Sequence, residues 1–174
     1  MKDEIYTVRN AKPEEFEAVG ELMVRVYSQL DGFPKEDEQP AYYKMLRNVG
    51  DFTKMPSTKL FVVVSSEGNI AGAVIFFWDM QYYGSGGIAT KEKKAAGFRL
   101  LAVSPKTRGA GIGKLLTIHC INMAMKKKLD QVIIHTTNAM LTAWKMYEKL
   151  GFIRSKELDF MQESLPVFGF RLRL

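Results

Sequence analysis

The chain has 174 residues, of which 47% are hydrophobic, so its length suits one domain (residues 1–174) with a continuous buried core. Its formal charge of +6 suits an anionic ligand or partner, but Lys91, Lys93, Lys94 and the lysines at 126–128 are not interleaved with aromatics, and no nucleic-acid role is expected. With no apolar run near the length of a membrane span and no signal-peptide pattern in Met1-Lys2-Asp3-Glu4, no membrane role and a cytoplasmic location are expected; Cys120, His119 and His135 are too few for a metal site.

Residues 5–9 alternate like a short strand, and Pro13 with Glu14 and Glu15 starts a helix. Phe16, Val19, Leu22, Met23, Val26, Tyr27 and Leu30 recur on one face of it until Gly32 and Pro34 close the element. A less regular helix is expected over 39–49. It lies in a polar, aromatic, proline-marked stretch, 31–56, that reads either as a mobile cover over a binding site or as a surface excursion. Residues 60–64 and 70–78 form a hairpin around Gly68, and 82–94 is an exposed loop. A strand over 97–103, a turn with Pro105, a helix over 111–127, a strand over 131–135 and a helix over 140–150 follow. After Gly151, strands are expected at 152–160 and 169–174. This order predicts an α/β (mixed α+β) domain with a mixed sheet and helices on both faces.

The stretch Val103-Ser-Pro-Lys-Thr-Arg108-Gly109-Ala110-Gly111-Ile112-Gly113-Lys114 carries the chemistry. An apolar strand passes through a glycine-rich turn into a helix anchored by Ile112, Leu115, Leu116, Cys120 and Met123. Glycines let the backbone approach a ligand, and the unpaired N–H groups and dipole of the first helical turn attract phosphate. Arg108 adds a cation. A mononucleotide P-loop is excluded, because Arg108 stands where its first glycine belongs and Leu115 where Ser or Thr must follow the lysine. The dinucleotide fingerprint is excluded by spacing, since Gly109, Gly111 and Gly113 are two apart. The bland alternative is a helix start whose glycines permit tight packing.

Arg108, Gly111 and Gly113 fit the arginine-or-glutamine, x, x, glycine, x, glycine-or-alanine pattern of the GCN5-related N-acetyltransferases, which this sequence resembles. The preceding Leu100-Leu101-Ala102-Val103-Ser104-Pro105 is similar to that family's fourth strand, and Met140, Ala143 and Tyr147 through Phe152 to its closing helix and turn. The resemblance implies a mostly antiparallel twisted sheet of about seven strands. It implies that acetyl-CoA is the cosubstrate, with backbone N–H groups of Arg108, Gly109, Ala110, Gly111, Ile112, Gly113 and Lys114 on its pyrophosphate. The pantetheine would lie along Leu101, Ala102 and Val103 as an added strand, with Asn138 on the coenzyme arm. An acceptor amine would attack the thioester directly, the Val103 N–H would stabilise the oxyanion, and Tyr147 would protonate the departing thiolate. Tyr147 reads equally as part of an apolar helix face, and Asn138 as part of a strand end and helix cap.

One departure stands out. Many members carry a glutamate two residues before the arginine of the fourth strand, acting through water as the base; here that position is Gly97, ahead of Phe98 and Arg99. Glu92, Asp79 and Glu157 are alternatives without a motif behind them. The acceptor pocket is expected from Tyr42, Tyr43, Trp78, Tyr82 and Tyr83, which read equally as packing at a sheet edge. The sequence therefore reads as an N-acetyltransferase for a small-molecule or peptide amine, with a non-catalytic acyl-CoA sensor as the alternative. The apolar segment 168–174 is expected to form a sheet edge across which a homodimer could pair.

Overall fold

The computed structural model describes residues 3–174; Met1 and Lys2, half of the start read for a signal sequence, lie outside it. Eight strands form one sheet in the order β1-β2-β3-β4-β5-β8-β6, with β7 pairing the outer part of β8. They are β1 (Tyr6–Asn10), β2 (Thr58–Ser65), β3 (Ile70–Phe77), β4 (Ala95–Val103), β5 (Gln131–Thr136), β6 (Ile153–Arg154), β7 (Phe160–Gln162) and β8 (Leu165–Arg173). Every pairing is antiparallel except β4 with β5, which is parallel and spans the connection through a helix.

The four helices divide between the faces as their apolar stripes require. α1 (Phe16–Ser28) buries Val19, Leu22, Met23 and Tyr27 against one face, together with Tyr43 and Leu46 of α2 (Pro40–Arg47) and with Leu60, Val62, Ile75 and Phe77 of β2 and β3. α3 (Ile112–Lys126) sets Ile112, Leu116, Cys120 and Ala124 against the other, where α4 (Leu141–Lys149) adds Tyr147. A sheet covered on both sides needs apolar residues at every position, which is why β2 and β3 read as continuous hydrophobic runs. Cys120 is fully buried, and burial pushes its thiol up, as a small hydrophobe's would be.

The 31–56 stretch is anchored in the core by Phe33, Tyr43, Leu46 and Val49, the Tyr43 hydroxyl donating to the Pro34 carbonyl at 2.8 Å, while Glu36, Asp37 and Glu38 are exposed. Two expectations are corrected. Residues 152–160 do not form one strand. Asp159 turns inward to accept both the Arg154 guanidinium and the Gly169 N–H, each at 2.8 Å, and a 3-10 turn at Lys156–Leu158 separates β6 from β7. Finally, β8 is not an edge. It begins at Leu165, carries β5 on one side and, on the other, β7 at 165–167 and β6 at Phe170 and Arg171, so the continuous free edge expected at 168–174 is interrupted by β6.

Candidate active site

β4 and β5 pair at Ala95, Ala96 and Gly97 and then part. From Phe98 to Val103, β4 has β3 on one side and no strand on the other. The divergence has a local cause. The β3–β4 register slips between Ala73 and Ile75, and Leu100 on the bulged side takes φ +57°, a conformation costly for a bulky side chain. Such strain persists where the surrounding fold holds it, and here it bends β4 away from β5. The Ser104 N–H donates to the Ala71 carbonyl at 2.8 Å, which places Val103 at an alternate position whose N–H is turned away from β3, into the opening.

The opening leads to the start of α3. Ser104 and Thr107 bind the turn to β3, the Thr107 hydroxyl donating to the Ala71 carbonyl at 3.2 Å. Gly109 and Gly111 adopt φ +83° and +79°, where L side chains are strained, and open space lies where a Cβ would stand. The N–H groups of Gly111, Ile112, Gly113 and Lys114 have no acceptor among the described residues; the first N–H to bond back is that of Leu115, to the Gly111 carbonyl at 3.0 Å. No side chain caps this helix and no acidic residue stands in its first turn, so its positive end is uncompensated. Arg108 and Lys114 are exposed beside it. Ala110 differs from its neighbours: its N–H donates to the Thr107 carbonyl at 3.2 Å within the turn.

Tyr147 faces the same region from α4, buried between the rings of Phe98 and Phe152 at centroid distances of 5.8 and 5.7 Å. Its hydroxyl has no hydrogen-bond partner among the described residues, and burial raises its pKa, keeping the phenol protonated. The buried Thr136 hydroxyl at the end of β5 is also without a partner. Asn138 is exposed and is not the cap of the following turn; Thr137 takes that role, accepting from the Ala139 N–H at 3.2 Å.

On the opposite face, the loop before β4 folds back over Gly97. The Tyr83 ring lies where a side chain at 97 would be, and its hydroxyl is 2.9 Å from His135 Nδ1. His135 Nε2 is 2.8 Å from the Leu158 carbonyl, which can only accept; the neutral ring thus donates from Nε2 and receives the Tyr83 proton at Nδ1. Burial, aided by the nearby Arg99 charge, brings the His135 pKa down to about 4. Tyr42, with its pKa pushed up to about 12 by burial, and Tyr27 complete this aromatic wall. Of the other aromatics expected at the pocket, Tyr43 is used in the core, Tyr82 packs at the edge of that core, and Trp78 lies on the α3 face under the Lys127 ammonium.

None of the alternative bases is free. Glu92 pairs with Arg171 at 2.7 Å, Glu157 with the same guanidinium at 3.2 Å, and Asp79 caps its own turn through the Gln81 N–H at 3.1 Å. Arg99 and His135, which sequence reasoning passed over, stand in the wall; nothing in their spacing signalled it.

The mostly antiparallel sheet, opened between β4 and β5 above an uncapped helix start, is the architecture to be compared with known proteins. The Acetyltransferase (GNAT) family pattern matches residues 18–152, and the chain belongs to that family. Among solved structures, a GNAT-family acetyltransferase from Staphylococcus aureus Mu50 superimposes with a TM-score of 0.74 at 16% identity, covering 98% of this chain and 99% of that one. Spermidine N-acetyltransferase from Vibrio cholerae, in complex with CoA and spermine, gives 0.62 at 16% identity over 97% and 95%. Of curated relatives, a mycothiol acetyltransferase of Arthrobacter sp. (strain FB24) is 30% identical over 93 residues, 53% of this chain and 27% of the relative. Human N-alpha-acetyltransferase 30 is 39% identical over 59 residues, 34% of this chain and 16% of the relative. The matches thus span about a quarter or less of those relatives' lengths.

Proposed function

We propose that the protein transfers the acetyl group of acetyl-CoA to the amine of a small molecule or peptide by direct attack on the thioester. The observation that carries this reading is the opening between β4 and β5 leading to an uncapped helix start whose N–H groups lack acceptors. The pyrophosphate is held by the turn from Arg108 to Lys114, chiefly through Gly111, Ile112, Gly113 and Lys114, with Arg108 as counter-charge. The pantetheine runs beside Leu101, Ala102 and Val103, pairing with backbone that β5 leaves unpaired, and Asn138 reaches the coenzyme arm from the rim.

As the amine attacks, charge gathers on the thioester oxygen, and the Val103 N–H is the donor assigned to it. Tyr147 gives its proton to the leaving sulfur. Desolvation that raises the phenol's pKa also raises that of a thiolate released in the same dry cleft, so the transfer is not defeated by burial. Enzyme action, cytoplasmic location and any homodimer are parts of the same proposal, by extension from the family.

A non-catalytic acyl-CoA sensor is the second reading. Gly97 in place of a carboxylate, together with the pairing of Glu92 and Glu157, favours it. Release of CoA thiol across an amine panel separates the two: turnover that falls in Tyr147→Phe while acetyl-CoA binding persists supports transfer, and binding without turnover on any amine supports sensing.

A further inference from the structure

The chain has eight arginines. Arg9, Arg47, Arg154 and Arg171 each pair with a carboxylate. Arg25, Arg108 and Arg173 are exposed and solvated. Arg99 alone, among the described residues, combines partial burial with the absence of any acidic partner. It stands on β4 two residues past Gly97 and next to the strained Leu100. One Nη1–H donates to the Tyr83 carbonyl at 2.9 Å, and the guanidinium carbon lies 5.8 Å from the Tyr83 ring centroid. Its other N–H donors have no protein acceptor among the described residues.

A guanidinium withdrawn from water without a counter-charge is costly, and proteins ordinarily supply a partner. The groups around Arg99 do not: Tyr27, Tyr42, Tyr83 and His135 all feel its charge, and none of them is anionic at neutral pH. Asp159, which acts on His135, is held by Arg154, and Glu92 and Glu157 are held by Arg171. The wall of Tyr27, Tyr42, Tyr83 and His135 therefore presents one fixed cation, Arg99, that no acidic side chain neutralises among the described residues. A polyamine would meet a like charge there. A carboxylate would meet a planar donor fork matched to its two oxygens.

We propose that the acetyl acceptor is an amino acid or similar compact amine bearing a carboxylate, and that Arg99 holds that carboxylate while the amine faces the thioester. This rests on the acetyl-transfer reading and specifies its substrate class. Arg99 is a specificity residue; the acetyl group's bond passes from sulfur to nitrogen, and no covalent step involves the guanidinium.

The test compares the protein α-amino acids, each with its C-terminal amide, and spermidine, as acceptors with acetyl-CoA and release of CoA thiol. Turnover of one or more amino acids, with KM at least tenfold higher for the matching amide, is expected. Arg99→Gln should raise KM for the acid at least tenfold while KM for acetyl-CoA and the Tm shift it causes stay unchanged; Arg99→Lys should recover part of the loss. Equal use of acids and amides, or preference for spermidine, overturns the assignment and leaves acetyl transfer standing. If no amine releases thiol, acetyl transfer fails, and the Arg99 assignment is judged by binding to the CoA-loaded protein. A larger Tm increase from an amino acid than from its amide, lost in Arg99→Gln, upholds it; equal increases or none overturn it.

Discussion

Tyr83 fills the space that Gly97 leaves: a Cβ on Gly97 would lie 2.7 Å from Tyr83 Cε2 and 3.0 Å from the Ile133 carbonyl. The position at which the family often places a carboxylate is thus closed by an aromatic ring, and that ring is fixed at its far end by His135. Glycine at 97 is a packing requirement of this arrangement as well as the loss of an acid.

Gly97→Ala is accordingly expected to destabilise the fold by about 1–3 kcal/mol through overpacking. The same change made in Tyr83→Ala should cost less, because one of the two obstructions is gone. Urea unfolding of the four proteins gives the coupling, and additive effects would show that Tyr83 does not fill the site in solution. Gly97→Glu should fail to enhance transfer for the same steric reason.

At the other end of the opening, Gly111→Val should lower stability by about 1–2 kcal/mol, the cost of placing a side chain at positive φ, with no clash added. Native protein at a hundredfold excess of acetyl-CoA over its Kd should gain about 2.7 kcal/mol, seen as a Tm rise of several degrees. The folded variant should lose that rise. A full ligand shift in Gly111→Val would move the coenzyme site elsewhere.

Tyr147→Phe should leave stability nearly unchanged, since the hydroxyl makes no internal hydrogen bond and the ring contacts with Phe98 and Phe152 persist. A fall in kcat of about 10²-fold, with acetyl-CoA affinity retained, is the expectation for a lost general acid. An unaltered kcat would reduce Tyr147 to a core residue.

His135 supplies a pH dependence of definite sign. Its folded-state pKa of about 4 lies below the ordinary value of 6.5, so the unfolded chain binds the proton more readily. Stability should be unaffected by this group above pH 6.5 and should fall as pH drops from there toward 4, by up to about 3 kcal/mol. His119, lowered by burial, acts in the same direction. Urea unfolding at pH 7 and pH 5 should show a smaller difference in His135→Gln than in the native protein; an equal difference would assign the slope to other groups.

Much of the proposed coenzyme site was legible in the chain itself. The glycine turn, the helix after it and the burial of Tyr147 follow from spacings of a few residues, where backbone conformation and the period of apolar side chains act locally. The expected edge at 168–174 failed because strand neighbours are chosen across the whole fold: β8 meets β5 and β6 only after α4 and the Asp159 turn have brought them together. The proposed acceptor wall depended on tertiary structure almost entirely. Tyr83 and His135 are 52 positions apart, and no local pattern announces that one will close over Gly97 and bond to the other. Arg99 was visible as a strand residue, but its lack of a counter-charge is a property of where every carboxylate ends up. The sequence by itself determined the glycine turn and the uncapped start of α3, because these are built from contiguous backbone; only the packing of distant side chains decided the charge and shape of the wall around Gly97.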